Sequence, residues 1–83
     1  MFTYRTQGTC AKMIAFEVDS ENKLRNVQFA GGCNGNLQGI AKLVEGRTLD
    51  EVAPLLAGIR CGMKNTSCPD QLSKAIQAYK QSV

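Results

Sequence analysis

Apolar and polar residues alternate in two stretches of the N-terminal half. In residues 12–18 (KMIAFEV) and 24–32 (LRNVQFAGG), apolar side chains recur at every second position: Ile14, Phe16, Val18, Val27 and Phe29. A polar turn, DSENK, separates the two stretches, so they are predicted to form an antiparallel hairpin with one buried face. Phe2 and Tyr4 predict a third strand near the N-terminus.

The pattern changes to a helical period in the second half. A first helix is predicted from Leu37 to Gly46, a second from the capping box Thr48–Glu51 to Gly58, and a third opening at Pro69. The apolar stripes of the first and last helices contain Leu37, Ile40, Ala41, Leu43, Val44, Leu72, Ala75, Ile76 and Tyr79. Strands followed by helices predict an α+β fold, with about three helices packed on one face of a small antiparallel sheet.

Length and composition limit the possible functions. The chain has 83 residues, which fit a single domain spanning 1–83, and its net charge is only +3. Basic residues are scattered and aromatics are few, which argues against a nucleic-acid interface. No apolar run is long enough to cross a membrane, and the N-terminus does not resemble a secretory signal. We therefore expect a cytoplasmic protein whose thiols are kept reduced.

The hairpin brings two of the four cysteines into register. If Ile14 lies opposite Phe29 on the buried face, the same register places Cys10 opposite Cys33 at the open end of the hairpin. Opposed residues are close enough to share one metal ion. A bulge at Gly31–Gly32 would shift this pairing by one residue.

The other two cysteines lie near the start of the last helix. Cys68 directly precedes Pro69 and is predicted to be the N-cap, where the positive end of the helix favours a thiolate. Cys61 lies in the loop between Gly58 and Gly62, and Cys33 directly precedes the first helix. Cysteines at helix starts and in loops favour ligand binding over core packing.

These positions predict that Cys10, Cys33, Cys61 and Cys68 converge and bind a metal. Because the chain has no histidine, four thiolates would hold either Zn²⁺ or an iron–sulfur cluster. Two other interpretations stay open: the thiols pack as small apolar groups, or they form the disulfides Cys10–Cys33 and Cys61–Cys68, which conflict with a reducing compartment. No CxxC motif is present.

Few other residues suggest chemistry. Without histidine there is no Ser–His or Cys–His nucleophile pair, and the glycine-rich GGCNGN lacks the lysine of a phosphate-binding loop. Asp70 is interpreted as a favourable partner of the helix dipole, with a spare metal ligand as the alternative. Lys12 is interpreted as a solvated lysine, with pairing to a thiolate as the alternative. No catalytic residue is predicted.

Residues 66–70 spell TSCPD, and with AGGCNGNLQGI and CGMKNTSCPDQL they resemble the small stand-alone bacterial branch of the TSCPD domain family. The resemblance extends from Cys10 to Tyr79 and includes all four cysteines. It implies metal binding by these cysteines. Related domains occur at the C-terminus of adenosylcobalamin-dependent ribonucleotide reductases, which implies an accessory role beside such an enzyme.

A more distant resemblance is to iron–sulfur scaffold proteins of the IscU/NifU N-terminal type, carried by FAGGCNGNLQGIAKLVEGRTLDEV and CPDQLSKAIQAYK. It aligns Cys10, Cys33 and Cys68 with the three scaffold cysteines. Two positions depart from that family: Lys12 replaces its aspartate and Ser67 its histidine. These departures favour a tighter site to which Cys61 adds a fourth thiolate, rather than a labile cluster.

Taken together, the sequence predicts a structural or cluster-carrying metal-binding module without activity of its own. Its partner would be a ribonucleotide reductase or the cluster-assembly machinery, and no oligomeric state is predicted. The enzyme-linked alternative is a thiol-exchange module for ribonucleotide reduction, with Cys61 and Cys68 as the redox pair. The third alternative is a small interaction domain.

Overall fold

The computed structural model describes residues 1–9, 11–32 and 34–82, without the side chain of Asn34. Three strands, β1 (Phe2–Arg5), β2 (Ala11–Val18) and β3 (Leu24–Gly31), form an antiparallel sheet in the order β1-β2-β3. Three helices follow: α1 (Asn34–Val44), α2 (Leu49–Leu56) and α3 (Cys68–Ser82). The predicted α+β architecture is confirmed, including the third strand. None of the helices in the described residues is both long and apolar enough to span a membrane.

The core lies between the sheet and the helices. It is built by apolar side chains with no exposed surface: Ile14, Phe16, Leu24, Leu49, Leu72 and Ile76. At one side of this core, Phe2 of β1 packs on Phe16 and on Tyr79 of α3, with ring centroids 5.4 Å apart in both pairs. These contacts attach α3 to the first two strands. One predicted core residue is wrong, because Leu43 is 72% exposed.

The hairpin has the predicted register at its centre and loses it towards both ends. Ile14 pairs with Phe29 as expected, but a shift after Ala15 leads to pairing of Glu17 with Arg25. Asn26 lies within this irregularity at a φ of 55°, a left-handed conformation that asparagine tolerates better than most residues. The register of Ile14 with Phe29 would also place Phe16 opposite Val27, and an extra residue in β3 interrupts that pairing.

A second shift lies at the open end of the hairpin. Met13 pairs with Ala30, but Ala11 pairs with Gly31 rather than with Gly32, so Lys12 is the extra residue. The bulge predicted at the glycines of β3 thus lies in the neighbouring strand, β2. Cys10 and Cys33 lie outside the described residues, and their predicted pairing remains a prediction.

Helix α2 begins with half of the predicted capping box. The Glu51 N–H donates to the Thr48 hydroxyl over 3.2 Å, as predicted. The Glu51 carboxylate does not return to Thr48, because it accepts from Arg47 Nη1 at 3.1 Å instead. Helix α1 also begins earlier than its apolar stripe indicates, at Asn34.

Candidate functional site

Cys61 lies in the loop 57–67 that joins α2 to α3, and its side chain is exposed. Its N–H donates to the Thr66 carbonyl over 3.2 Å, and its own carbonyl accepts from the Lys64 N–H over 3.1 Å. Gly62 has a φ of 59°, which permits the tight turn after the cysteine. The backbone of Cys61 is thus held by its own loop while the thiol stays accessible.

Cys68 is the first residue of α3 and is half-buried. The predicted N-cap is corrected to Ser67, whose hydroxyl accepts from the Asp70 N–H over 3.1 Å. A serine oxygen accepts hydrogen bonds better than a thiol does, so it takes the capping position. The Ser67 hydroxyl also donates to the Ile59 carbonyl over 2.6 Å. Cys68 therefore keeps its place at the positive end of α3 without being engaged as a cap.

Thr66, Asp70 and Gln71 form a buried polar cluster at the start of α3, the helix that carries Cys68. Asp70 is only 6% exposed and accepts the Gly58 N–H over 2.7 Å and the Thr66 hydroxyl. Gln71 donates its side-chain N–H to Thr66 over 2.9 Å. The Thr66 hydroxyl, followed by the Gly58 N–H, holds the pKa of Asp70 below its usual value, and Lys74 adds a smaller lowering.

Both carboxylate oxygens of Asp70 are therefore engaged. One accepts from Gly58, and the other accepts from Thr66 and lies 3.8 Å from Lys74 Nζ. Asp70 is only 6% exposed, and each of its carboxylate oxygens binds a group of the loop 57–67. Of the two interpretations of Asp70, the structure favours a structural role at the start of α3.

The polar cluster also reaches the segment before Cys10. The side-chain carbonyl of Gln71 accepts the Gln7 N–H over 3.1 Å, across 64 positions of sequence. A Cβ added to Gly8 would lie 3.2 Å from the Thr66 methyl, so the two segments are in close contact. The cluster thus joins the segment preceding Cys10 to the loop of Cys61 and to the helix of Cys68.

Gly32, the neighbour of Cys33, lies against Ala11, the neighbour of Cys10. It has a φ of 83°, and a Cβ there would lie 3.0 Å from the Ala11 nitrogen and 2.8 Å from Leu37 Cδ1. Only glycine fits this conformation and this space without strain. The backbones beside Cys10 and Cys33 therefore meet at one point.

The two described thiols line a common groove of about 540 Å³ between α1, the loop 57–67 and the start of α3. Thr9, which precedes Cys10, and Gly35, two residues after Cys33, line the same groove. Most other lining side chains are apolar: Leu37, Ile40, Leu43, Ile59 and Pro69. Cys61 and Cys68 are both free thiols.

The structure describes only two of the four cysteines of the predicted site. Cys61 and Cys68 border one groove, whereas Cys10 and Cys33 lie outside the described residues. Among the residues that are described, no group of three or more Cys, His, Asp or Glu side chains is arranged to hold a metal ion. The described groups of this site with the donor chemistry of a soft-metal ligand are two free thiols, Cys61 and Cys68.

Sequence reasoning missed the roles of Gln71, Thr66 and Gly32. Thr66 and Gln71 flank the segment Ser-Cys-Pro-Asp, but nothing in the local pattern indicates that they would contact each other or Gln7. Gly32 was recognised as a site of irregular backbone, and only the three-dimensional contact with Ala11 explains why glycine is required there.

One comparison with known proteins gives a match. A family model described as TSCPD domain matches residues 2–80, which is nearly the whole chain. Searches among curated proteins and among solved structures find no significant match.

Proposed function

The chain belongs to the TSCPD domain family, and we propose that it is a metal-binding domain in which Cys10, Cys33, Cys61 and Cys68 hold Zn²⁺ or an iron–sulfur cluster. It would serve as a structural or cluster-carrying module and perform no reaction alone. When bound, the metal would cross-link the loops that carry the cysteines.

The observation that carries this proposal is the convergence of the segments that bear the cysteines. Thr9 and Gly35, near Cys10 and Cys33 in sequence, line the same groove as Cys61 and Cys68. The contact of Gly32 with Ala11 adds independent support, because it joins the chain next to Cys33 to the chain next to Cys10. Four thiols carried by these segments would supply the donor set of a closed tetrahedral site.

The surroundings also suit thiolates. The first turn of α3 directs its positive end towards Cys68, and Arg60 and Lys64 line the groove. These groups would offset part of the negative charge of four thiolates. The Thr66–Asp70–Gln71 cluster would hold the ligand loops in place from behind, as residues around metal ligands commonly do.

The proposal is tested by metal content and by cysteine variants. The chain is purified under anaerobic conditions, and its metal, sulfide and visible absorption are measured. One zinc per chain without colour, or iron and sulfide with the visible absorption of a cluster, supports the proposal. Each single Cys→Ser variant should then lose metal, whereas Met63→Ser should keep it. Met63 is the matched control because it is a fully exposed sulfur-bearing residue beside Cys61.

A chain that binds no metal would contradict the proposal. A chain with four titratable thiols, no metal as purified and no uptake of Zn²⁺ or Co²⁺ in titration would overturn the proposal. A reversible disulfide between Cys61 and Cys68 in that chain would favour the thiol-exchange alternative, in which it would serve a ribonucleotide reductase. Both thiols lie on the one groove, with Cys61 exposed and Cys68 half-buried, and that alternative also requires them on a common surface.

A further inference from the structure

The groove beside Cys61 and Cys68 has the features of a docking surface for another protein. Two large apolar side chains on its lining are exposed, with Leu43 at 72% and Ile59 at 41% of their surface. Exposed apolar surface that lines a cavity of this size commonly marks a binding site. The question is which partner would cover it.

The face of α1 along this groove is bare. Gly35, Gly39 and Leu43 are spaced four residues apart, so they share one side of the helix. A Cβ added to Gly35 or Gly39 would meet no described atom within 4 Å, and neither glycine has a positive φ. Each costs about 1 kcal/mol of helix stability relative to alanine. The described part of the fold contains no contact that requires glycine at these positions, and a closely approaching helix would require it.

The charge around the groove is positive. Arg60 and Lys64 line it, Arg5 and Lys12 line the adjoining cavity that shares Thr9, and no Asp or Glu lines either cavity. Four thiolates around a divalent ion would leave a net charge of about −2, which these four cations exceed. Within the described residues, Arg60 makes no hydrogen bond or ion pair.

The chain's own acidic residues do not supply the complementary charge. Six of the seven are already in ion pairs: Asp19, Glu21, Glu45, Asp50, Glu51 and Asp70. A symmetric dimer formed groove to groove would bring two cationic grooves together, which electrostatic repulsion opposes. The complementary occupant is therefore acidic and comes from a different protein.

We propose that this groove docks an acidic amphipathic helix of a partner protein. Small or apolar side chains of the partner helix would lie on Gly35, Gly39 and Leu43, and its carboxylates would pair with Arg60. Since α1 has 11 residues and is about 16 Å long, the docked segment would have about three turns. This inference does not rest on metal binding, because it uses the apolar and charged lining of the groove alone.

The test uses a fluorescein-labelled synthetic peptide of about 15 residues, made helical by a side-chain lactam. One face carries alanine and leucine and the flanks carry glutamate; a second peptide has lysine in place of each glutamate. Binding to the full chain is followed by anisotropy, on protein as purified and after zinc loading, with the metal content determined in each sample. We expect the glutamate peptide to bind and the lysine peptide to bind at least tenfold more weakly.

Two variants locate the binding. Gly39→Leu fills the bare helix face, and Arg60→Glu reverses the charge of the lining; each should weaken the glutamate peptide at least tenfold. The matched controls are Gln38→Leu and Lys42→Glu, which introduce the same residues at exposed α1 positions that do not line the groove. Both controls should leave the affinity unchanged within a factor of two.

Three results would overturn the inference. The first is no binding of the glutamate peptide at millimolar concentration, or binding that Gly39→Leu and Arg60→Glu leave unchanged. The second is a dimer of the chain that Gly39→Leu dissociates, which would identify a second copy as the occupant. The third is binding of dodecanoate with no binding of the peptide, which would identify a small amphiphile. Peptide binding to metal-free chain that takes up no metal would refute the proposed function while supporting this inference.

Discussion

Replacing Asp70 by asparagine tests whether the buried polar cluster holds the loop 57–67 in place. The substitution keeps the shape of the side chain and removes its charge. In the native chain one carboxylate oxygen accepts from Gly58 and the other from Thr66. If the asparagine carbonyl keeps the bond to Gly58, its amide N–H₂ faces the Thr66 hydroxyl, which already accepts from Gln71. The hydroxyl proton of Thr66 then loses its acceptor.

The expected cost follows from these contacts. A hydrogen bond to a charged group contributes about 1.5–3 kcal/mol, and leaving a buried donor unpaired costs about 1–3 kcal/mol. These two figures describe largely the same loss, so we expect Asp70→Asn to lower the free energy of unfolding by about 2–3 kcal/mol. In a domain of this size the total is about 4–12 kcal/mol, and the melting temperature should fall by roughly 10–20 °C.

The assay is urea unfolding followed by circular dichroism at pH 7, with Asp50→Asn as the control. Asp50 forms an ion pair with Lys80, but its side chain is 73% exposed. The same chemical change should therefore cost little there, because exposed ion pairs contribute between zero and about 1 kcal/mol. The cluster does not hold the loop in place if the free energy of unfolding of Asp70→Asn is within about 0.5 kcal/mol of the native value, or if both variants lose equal stability.

Three further predictions follow from the same contacts. Asp70→Asn should weaken zinc binding about 10- to 100-fold in a chelator competition while Asp50→Asn leaves it unchanged, since the cluster would position the ligand loops; equal affinities would contradict this. The pKa of Asp70 is lower in the folded chain than in the unfolded chain. The ionised carboxylate therefore adds its full amount to the free energy of unfolding above the unfolded pKa of about 4, and this amount is lost as the pH falls through the folded pKa. Between pH 5 and pH 3, the difference in the free energy of unfolding between the native chain and Asp70→Asn, measured with urea, should therefore become smaller. A constant difference would contradict the lowered pKa of Asp70. Gly32→Ala should cost about 1–3 kcal/mol because its Cβ would press on the Ala11 backbone at a φ of 83°, whereas Gly35→Ala, where a Cβ meets no described atom, should not destabilise the fold.

The fold could be predicted from the sequence where a strand or helix follows a periodic pattern of apolar residues. Ile14 and Phe29 pair as the alternation requires, and the last helix buries Leu72, Ala75 and Ile76 as its stripe requires. The register failed where one residue is inserted into a strand, at Asn26 and at Lys12. Alternation identifies the buried face of each strand, but it does not indicate where a β-bulge leaves a residue unpaired.

The site was less predictable because its contacts cross long stretches of sequence. The position of Cys61 in a loop and of Cys68 at a helix start could be read from glycine and proline alone. The contact of Gln71 with Gln7 could not, since a polar side chain gives no periodic signal for a partner 64 positions away. The same holds for Gly32, whose neighbour Ala11 lies in another strand.

The motif at residues 66–70 can now be divided by what each side chain does. Thr66, Ser67 and Asp70 are buried, and their polar side-chain atoms bind the loop 57–67 and the start of α3. Ser67, Cys68 and Pro69 border the groove. An apolar cluster of similar shape would give comparable stability, because satisfied polar groups in a core contribute little net free energy. Hydrogen bonds differ from apolar contacts in being directional, so they fix where the loop lies as well as that it is packed. A motif that surrounds one thiol with three buried polar side chains is thus suited to setting the position of Cys68 relative to Cys61, which is the geometric requirement of a shared metal site.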